Sequence, residues 1–268
     1  MKEQSRIFFT ALMFYTRIPC PANIDHSPAY INKATRFFPL IGWIVGLISF
    51  GAYWLGATLF GDAVGIVFSL IAGVLTTGAF HEDGLADVFD GFGGGWTKEK
   101  ILEIMKDSRV GAYGVIALIM LFLLKYLALD ELLSATPALP LPLIATLFVA
   151  YHALARLTAV NIVFFSSYAR EDASSKAKPI AQTHSKTEIF GAYLGGLLPL
   201  LTLMYWHWQA VFLLLPLFGV GAYAKGYFEK WLGGYTGDCL GAVEQIAECV
   251  LLLTYLALWN SISYDIPV

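Results

Sequence analysis

The chain has few charged residues: Asp, Glu, Lys and Arg make up only 14% of its 268 positions, whereas soluble globular domains carry roughly a quarter. Its three cysteines are scattered and odd in number, which excludes a disulfide-stapled secreted scaffold. Its 25 glycines and 11 prolines are too few for a collagen-like or disordered chain. The net charge of -3 offers no broad basic surface, so nucleic acid is not expected as a partner.

Apolar residues are abundant instead, at 57% of the chain, with a mean hydropathy of +0.65. A helix needs about 20 apolar residues to cross the roughly 30 Å hydrocarbon core of a membrane. The run 189–224 has no charged residue and is too long for one span, so it predicts two helices that break at Trp206-His207-Trp208. Five more spans are expected at residues 37–61, 63–80, 110–129, 140–165 and 243–262. The sequence thus predicts an all-α, polytopic membrane bundle of about seven helices, forming a single domain over residues 1–268.

The positions of Lys and Arg predict the orientation, because these residues accumulate on the cytoplasmic side. With a cytoplasmic N-terminus, all basic residues except Lys125 and Arg156 fall in the inner segments 1–36, 81–109, 166–188 and 225–242. The segment 1–36 is expected to be cytoplasmic and to include a helix at the membrane interface. Lys125 is expected to lie near the outer end of its span and to extend its amine towards water.

Four carboxylates lie close together in the inner segment 81–109: Glu82, Asp83, Asp87 and Asp90. If this segment is helical, Asp87 lies about 40° from Asp83 and Asp90 about 20° on the other side, so the three aspartates share one face. Like charges at this spacing repel each other, and a divalent cation would neutralise them. Mg²⁺ is usually held by one or two carboxylates together with substrate phosphates. We therefore expect an acidic and glycine-rich catalytic loop that binds Mg²⁺; a solvated helix end is the alternative.

Two arginines are candidates for phosphate binding. Arg109 precedes Gly111 and Gly114 at the start of a span, where the glycines permit close approach and the guanidinium can hold phosphate oxygens. A plain cytoplasmic anchor is the alternative for Arg109. Arg156 lies inside a span, where an ionised group is a functional candidate by default, and an extended side chain that reaches water is its alternative.

The last inner segment contains a glycine-rich turn before a helix. Gly237 belongs to this turn and could bind phosphate at the helix start, while Asp238 could serve as a metal ligand or a base. An ordinary turn with an acid at a helix start is the alternative, and it needs no ligand.

Three blocks in this order resemble the cobalamin synthase family, and the resemblance covers nearly the whole chain. The blocks are His81-Glu82-Asp83-Gly84-Leu85-Ala86-Asp87-Val88-Phe89-Asp90-Gly91, Asp107-Ser108-Arg109-Val110-Gly111-Ala112-Tyr113-Gly114 and Gly233-Gly234-Tyr235-Thr236-Gly237-Asp238-Cys239-Leu240-Gly241-Ala242; Thr16-Arg17-Ile18-Pro19 and Phe38-Pro39-Leu40-Ile41-Gly42 fit as well. The resemblance implies an inner-membrane, Mg²⁺-dependent enzyme. Its substrates would be adenosylcobinamide-GDP and α-ribazole or its 5′-phosphate, and its products adenosylcobalamin or its 5′-phosphate and GMP.

Combined with this resemblance, the acidic segment gives a mechanistic hypothesis. Glu82, Asp83 and Asp87 are the leading metal ligands. Asp90 is either a further ligand or the base that accepts the proton of the attacking hydroxyl. Arg109 steadies the phosphates, and Asp238 completes the metal shell or the acceptor pocket.

Two other functions remain open from the sequence. A CDP-alcohol phosphotransferase of phospholipid synthesis uses a similar spaced aspartate pattern and would release CMP. A cation transporter would place acids near the middle of the bilayer and would have broken helices. The acids here cluster at one surface and the first two spans carry no charge, which disfavours transport. The sequence also leaves open whether the chain forms a homo-oligomer.

Overall fold

A computed structural model describes residues 3–25, 27–134, 139–169 and 184–264. In this part of the chain all regular structure is helical, which confirms the predicted all-α fold. The helices are α1 Glu3–Tyr15, α2 Pro28–Ala34, α3 Phe38–Phe60, α4 Asp62–Thr77, α5 Phe80–Gly94, α6 Lys98–Ile104, α7 Ala112–Leu133, α8 Leu141–Phe165, α9 Lys186–Trp206, α10 Leu214–Leu232 and α11 Gly237–Tyr264. The predicted inner basic residues Arg170, Lys176 and Lys178 lie outside the described residues.

Six helical segments within the described residues are long and apolar enough to cross a membrane. They contain α3, α7, α8, α9, α10 and α11, and a seventh span exists if the bent pair of α4 and α5 counts as one. The prediction of a polytopic bundle with about seven spans is therefore confirmed as six or seven. The cytoplasmic position of the N-terminus stays a prediction.

The second predicted span differs from a straight helix because α4 and α5 meet at a bend of 89°. Gly78 ends α4 with φ +69°, in the left-handed region that glycine adopts without strain. Ala79 follows at φ 58°, so two successive left-handed residues redirect the chain. With 16 residues, α4 is about 24 Å long, which is shorter than the hydrocarbon core.

The two loops predicted around the acidic and glycine-rich segments are mostly helical. α5 and α6 occupy most of residues 81–109, because Leu85, Ala86 and Val88 supply a buried face for α5.

The predicted break near Trp206 is confirmed, since α9 ends there and α10 begins after a short 3-10 helix. α10 then continues to Leu232 and α11 starts at Gly237, so only four residues separate these helices.

The centre of the bundle is α8, which packs against α3, α9, α10 and α11. Two glycines one turn apart on α3 allow this contact to reach backbone distance. A Cβ on Gly42 would lie 2.7 Å from the carbonyl oxygen of His152, and one on Gly46 would lie 2.6 Å from that of Phe148. Small residues at this spacing let membrane helices approach closely. α8 is thereby enclosed, and its polar side chains face other helices rather than lipid.

Candidate active site

The acidic segment is helical, so Asp83, Asp87 and Asp90 share one side of α5, named here the acidic face. The three residues differ in their surroundings along the helix. Asp83 is exposed, Asp87 is half-buried and Asp90 is buried. The acidic face therefore runs from solvent into the protein, and Asp83 and Asp87 are its accessible part.

Asp90 forms hydrogen bonds with the backbone at the start of α7. Its two carboxylate oxygens accept hydrogen bonds from the backbone N–H groups of Gly111 at 2.7 Å and Gly114 at 2.9 Å. A Cβ on Gly114 would lie 2.5 Å from this carboxylate, so a side chain there would displace it. Gly111 and Gly114 were predicted to let phosphate approach closely, and the structure gives their N–H groups an acceptor within the chain. Phosphate could reach them only by replacing Asp90, whose role as ligand or base stays a prediction.

The start of α11 lies against α5. A Cβ on Gly84 would lie 2.9 Å from the carbonyl oxygen of Asp238, so the two helices touch through their backbones. Thr236 caps α11, because its hydroxyl oxygen accepts a hydrogen bond from the N–H of Cys239 at 3.3 Å. A helix start carries partial positive charge and free N–H groups that favour anions. Gly237 and Asp238 therefore lie at a helix start suited to phosphate, against α5 at Gly84, which is about 100° around α5 from Asp83 and about 60° from Asp87.

Arg109 lies outside the bundle, between α6 and α7, with 86% of its side chain exposed. Its guanidinium pairs with Asp107 at 2.6 Å. Hydrogen bonds from the side chain and then the backbone of Arg109 lower the pKa of Asp107 to about 2. Arg109 is thus accessible to a phosphate in solution, which would compete with Asp107 for it.

A second group of polar side chains lies within the bundle, where α5, α7, α8 and α11 meet. Each of its members is no more than 8% exposed. We call it the intramembrane cluster, and it consists of His81, Glu82, Lys125, His152, Arg156, Glu244, Gln245 and Glu248.

Lys125 lies inside this cluster, where its side chain is only 3% exposed. The amine donates to Glu248 at 2.6 Å and to Gln245 at 2.5 Å. The prediction that it extends towards water was wrong. α7 continues to Leu133, which places Lys125 about 12 Å from that end, and α11 supplies a carboxylate partner there.

Arg156 points into the same cluster. Its Nη1 lies 2.7 Å from Glu244 and 3.4 Å from Glu248, and it also donates to the carbonyl oxygen of His152 at 2.9 Å. At 1% exposure it does not reach water, so the alternative of an extended side chain is wrong. The acids that it faces belong to α11, and its predicted phosphate contact stays untested.

Glu82 belongs to the intramembrane cluster and not to the acidic face. Its carboxylate accepts a hydrogen bond from the side-chain amide of Gln245 at 3.0 Å. It lies about 100° around α5 from Asp83, because adjacent helical residues are separated by that angle. The first turn of α5 therefore has two polar sides, one towards α11 and one towards solvent.

Three members of the cluster, His152, Glu244 and Glu248, have ligand atoms within 4.8 Å of one another. Such a set could hold a metal ion, but Lys125 and Arg156 already bind the two carboxylates and would repel a cation. Among the ionisable members, three glutamates face Lys125 and Arg156. His152 lies 2.5 Å from Glu248, and one proton shared among these acids and His152 would balance the remaining charge.

The sequence pattern did not predict this cluster. The available signal was the presence of Lys125, Arg156, Glu244 and Glu248 within or next to predicted spans, where ionised groups require partners. The structure also has two features expected of a transporter, buried acids and a broken helix pair.

Comparison with known proteins finds relatives along nearly the entire chain. A family model described as cobalamin-5-phosphate synthase matches residues 7–256. Proteins named adenosylcobinamide-GDP ribazoletransferase are similar to this chain in three Shewanella species. The relative from Shewanella frigidimarina is 44% identical over 95% of both chains, and that from Shewanella oneidensis is 43% identical over 93% of both. The relative from Shewanella amazonensis is 43% identical over 97% of this chain and 98% of its own. No solved structure matches.

Proposed function

The chain belongs to the cobalamin-5-phosphate synthase family, and on that premise we propose that it joins adenosylcobinamide-GDP to α-ribazole or α-ribazole 5′-phosphate. The products are adenosylcobalamin or its 5′-phosphate, and GMP. The names of the relatives support this reaction over a CDP-alcohol transferase or a transporter. The observation that carries the site is the acidic face of α5, a helix that contacts the start of α11 at Gly84.

We propose that Asp83 and Asp87 are the principal ligands of Mg²⁺. Within the described residues the Asp83 carboxylate has no hydrogen-bond or ion-pair partner, and it is exposed. Carboxylate oxygens are the donors that Mg²⁺ prefers, so the residues fit this ion. When bound, Mg²⁺ would offset the charge of the diphosphate and of the leaving phosphate. Glu82 and Asp90 are weaker candidates because both side chains are buried.

The surrounding residues suit a diphosphate substrate. The ribose 3′-hydroxyl of the acceptor attacks the cobinamide-side phosphorus, a new P–O bond forms, and the bond to the GMP oxygen breaks. We assign the hydroxyl proton to Asp238, which is half-buried at the start of α11. The N–H groups at this helix start and the exposed guanidinium of Arg109 would hold the phosphate oxygens.

Nucleotide release by the purified protein tests the proposal. With adenosylcobinamide-GDP, α-ribazole and Mg²⁺, the wild-type protein should release GMP. The Asp83→Asn and Asp87→Asn variants should insert into the membrane normally. Their kcat for GMP release should be lower than that of the wild type by about 100-fold or more. Near-wild-type turnover in both variants would reject the ligand assignment. Release of CMP from a CDP-alcohol, or ion flux without substrate in proteoliposomes, would favour one of the two rivals.

We propose that the acidic face lies on the cytoplasmic side of the inner membrane, as the distribution of basic residues suggests. Ser108 and Ser134 are exposed near the two ends of α7 and provide a matched test. In a Cys20→Ser background, a membrane-impermeant maleimide should label Ser108→Cys only in inside-out vesicles and Ser134→Cys only in right-side-out vesicles. The reverse pattern would place the site in the periplasm.

A further inference from the structure

A large cavity between α8, α9 and α10 takes no part in the proposed reaction. Its volume is about 490 Å³, within the usual range for a ligand pocket. The walls are apolar and include Leu154, Leu157, Leu197 and Leu217. Phe218, on its rim, is 78% exposed, so the cavity opens sideways towards lipid. We call it the lateral groove.

The length of the lateral groove matches one leaflet of a bilayer. On α10 its lining extends from Leu214 to Lys225, which is about 16 Å at 1.5 Å per residue. On α8 it extends from Leu154 to Phe165, the same number of residues. Half of a 30 Å hydrocarbon core is about 15 Å. An extended acyl chain of one leaflet would therefore fill the groove from end to end.

Gly221 makes room for such a chain. It lines the groove on α10, and a Cβ there would meet only Thr158, with its Cγ2 at 3.6 Å. A larger side chain at this position would project into the space between α10 and α8. Gly219, two residues earlier, has no neighbour within 4 Å of such a Cβ and does not line the groove.

One end of the groove has charges of both signs. Lys225 lines that end, and its amine lies 2.8 Å from the Glu229 carboxylate. The two side chains are 35% and 40% exposed, so both can contact a ligand. The Ser166 hydroxyl donates to the same carboxylate at 2.8 Å and fixes its position. A cation next to an anion complements a head group in which a phosphate and a primary ammonium are adjacent.

We propose that the lateral groove binds one phospholipid with an ethanolamine head group. Its acyl chain lies along α8 and α10, its phosphate contacts Lys225, and its ammonium contacts Glu229. This site is distinct from the acidic face, because it shares no residue with that face.

Photo-crosslinking in nanodiscs tests the position of the lipid acyl chain. The full-length protein is reconstituted with equal amounts of ethanolamine, glycerol and choline phospholipids, one of which at a time bears a diazirine on its acyl chain. We expect adducts on α8 and α10, and Gly221→Leu should reduce them about tenfold. Gly219→Leu is the matched control and should leave them unchanged. Equal labelling in the two variants, or uniform labelling of the exposed face of α7, would overturn the proposal.

Head-group selectivity tests the charged end. In the wild-type protein, labelling by the ethanolamine lipid should exceed labelling by the glycerol and choline lipids about tenfold. Glu229→Gln should reduce this preference to near unity while adducts on α8 and α10 persist, which also shows that the variant is folded. Equal labelling by all three lipids in the wild-type protein would show that the groove holds chains without recognising the head group, and would refute the assignment.

Discussion

Replacing Lys125 with methionine should destabilise the bundle by several kilocalories per mole. The methionine side chain retains much of the apolar stem but leaves the Glu248 carboxylate and the Gln245 amide oxygen without their donor. Removing one partner of a buried ion pair costs about 3–5 kcal/mol. Glu248 keeps contacts with His152 at 2.5 Å and Arg156 at 3.4 Å, so we expect a value near the lower limit, about 3 kcal/mol.

The double variant Lys125→Met/Glu248→Gln distinguishes an ion pair from simple packing. It removes both charges together, so its cost should be smaller than the sum of the two single variants by about 2 kcal/mol. Equilibrium unfolding in mixed micelles, followed by tryptophan fluorescence, measures these free energies. Lys100→Met is the control, because Lys100 forms an exposed pair with Glu103 at 3.1 Å and its loss should cost about 0.5 kcal/mol. Additive effects, or a Lys125→Met protein as stable as wild type, would refute the reasoning.

Three further predictions concern the acidic face and its neighbours. Gly84→Ala should reduce GMP release with little loss of expression, because the alanine Cβ would push the start of α11 away from α5. Gly51→Ala is the control and should retain activity, because a Cβ at that position has no neighbour within 4 Å. Asp90→Ala should lower the free energy of unfolding by about 2 kcal/mol, measured in micelles, because two backbone N–H groups lose their acceptor. Arg109→Ala should raise the pKa of Asp107 from about 2 towards the ordinary aspartate value of 3.8, which ¹³C-carboxyl NMR would detect. Since the native pKa is the lower one, the wild-type pair stabilises the protein above pH 3.8, and this contribution disappears as the pH falls through 2.

The sequence predicted those features that depend on local composition. Apolar runs located the long helices, and the tryptophans around His207 located the break between α9 and α10. Helical spacing correctly placed Asp83, Asp87 and Asp90 on one side of α5. These results follow from residue spacing and from the length of the hydrocarbon core, which do not require knowledge of distant neighbours.

The features that the sequence did not predict depend on contacts between distant residues. Lys125 and Glu248 are 123 positions apart, and nothing near Lys125 indicates that α11 will bring a carboxylate to it. Glu82 was grouped with the aspartates because it is adjacent to Asp83 in sequence. Its separation from them became evident only when α11 was seen to pack on that side of α5. The bend at Gly78 depends on two residues in the left-handed region, one of them an alanine that seldom adopts it.

The contact between Glu82 and Gln245 has a consequence for biosynthesis. The two residues are 163 positions apart, so at about 5–20 residues per second roughly 8–30 s separate their emergence from the ribosome. During that interval His81 and Glu82 lack the α11 side chains that they contact, and these polar groups are costly to leave in lipid. The nascent chain must therefore hold this helix at the membrane surface, or within the insertion machinery, until the final helix arrives. The contact between α5 and α11 at the proposed site can consequently form only after the final helix has been synthesised.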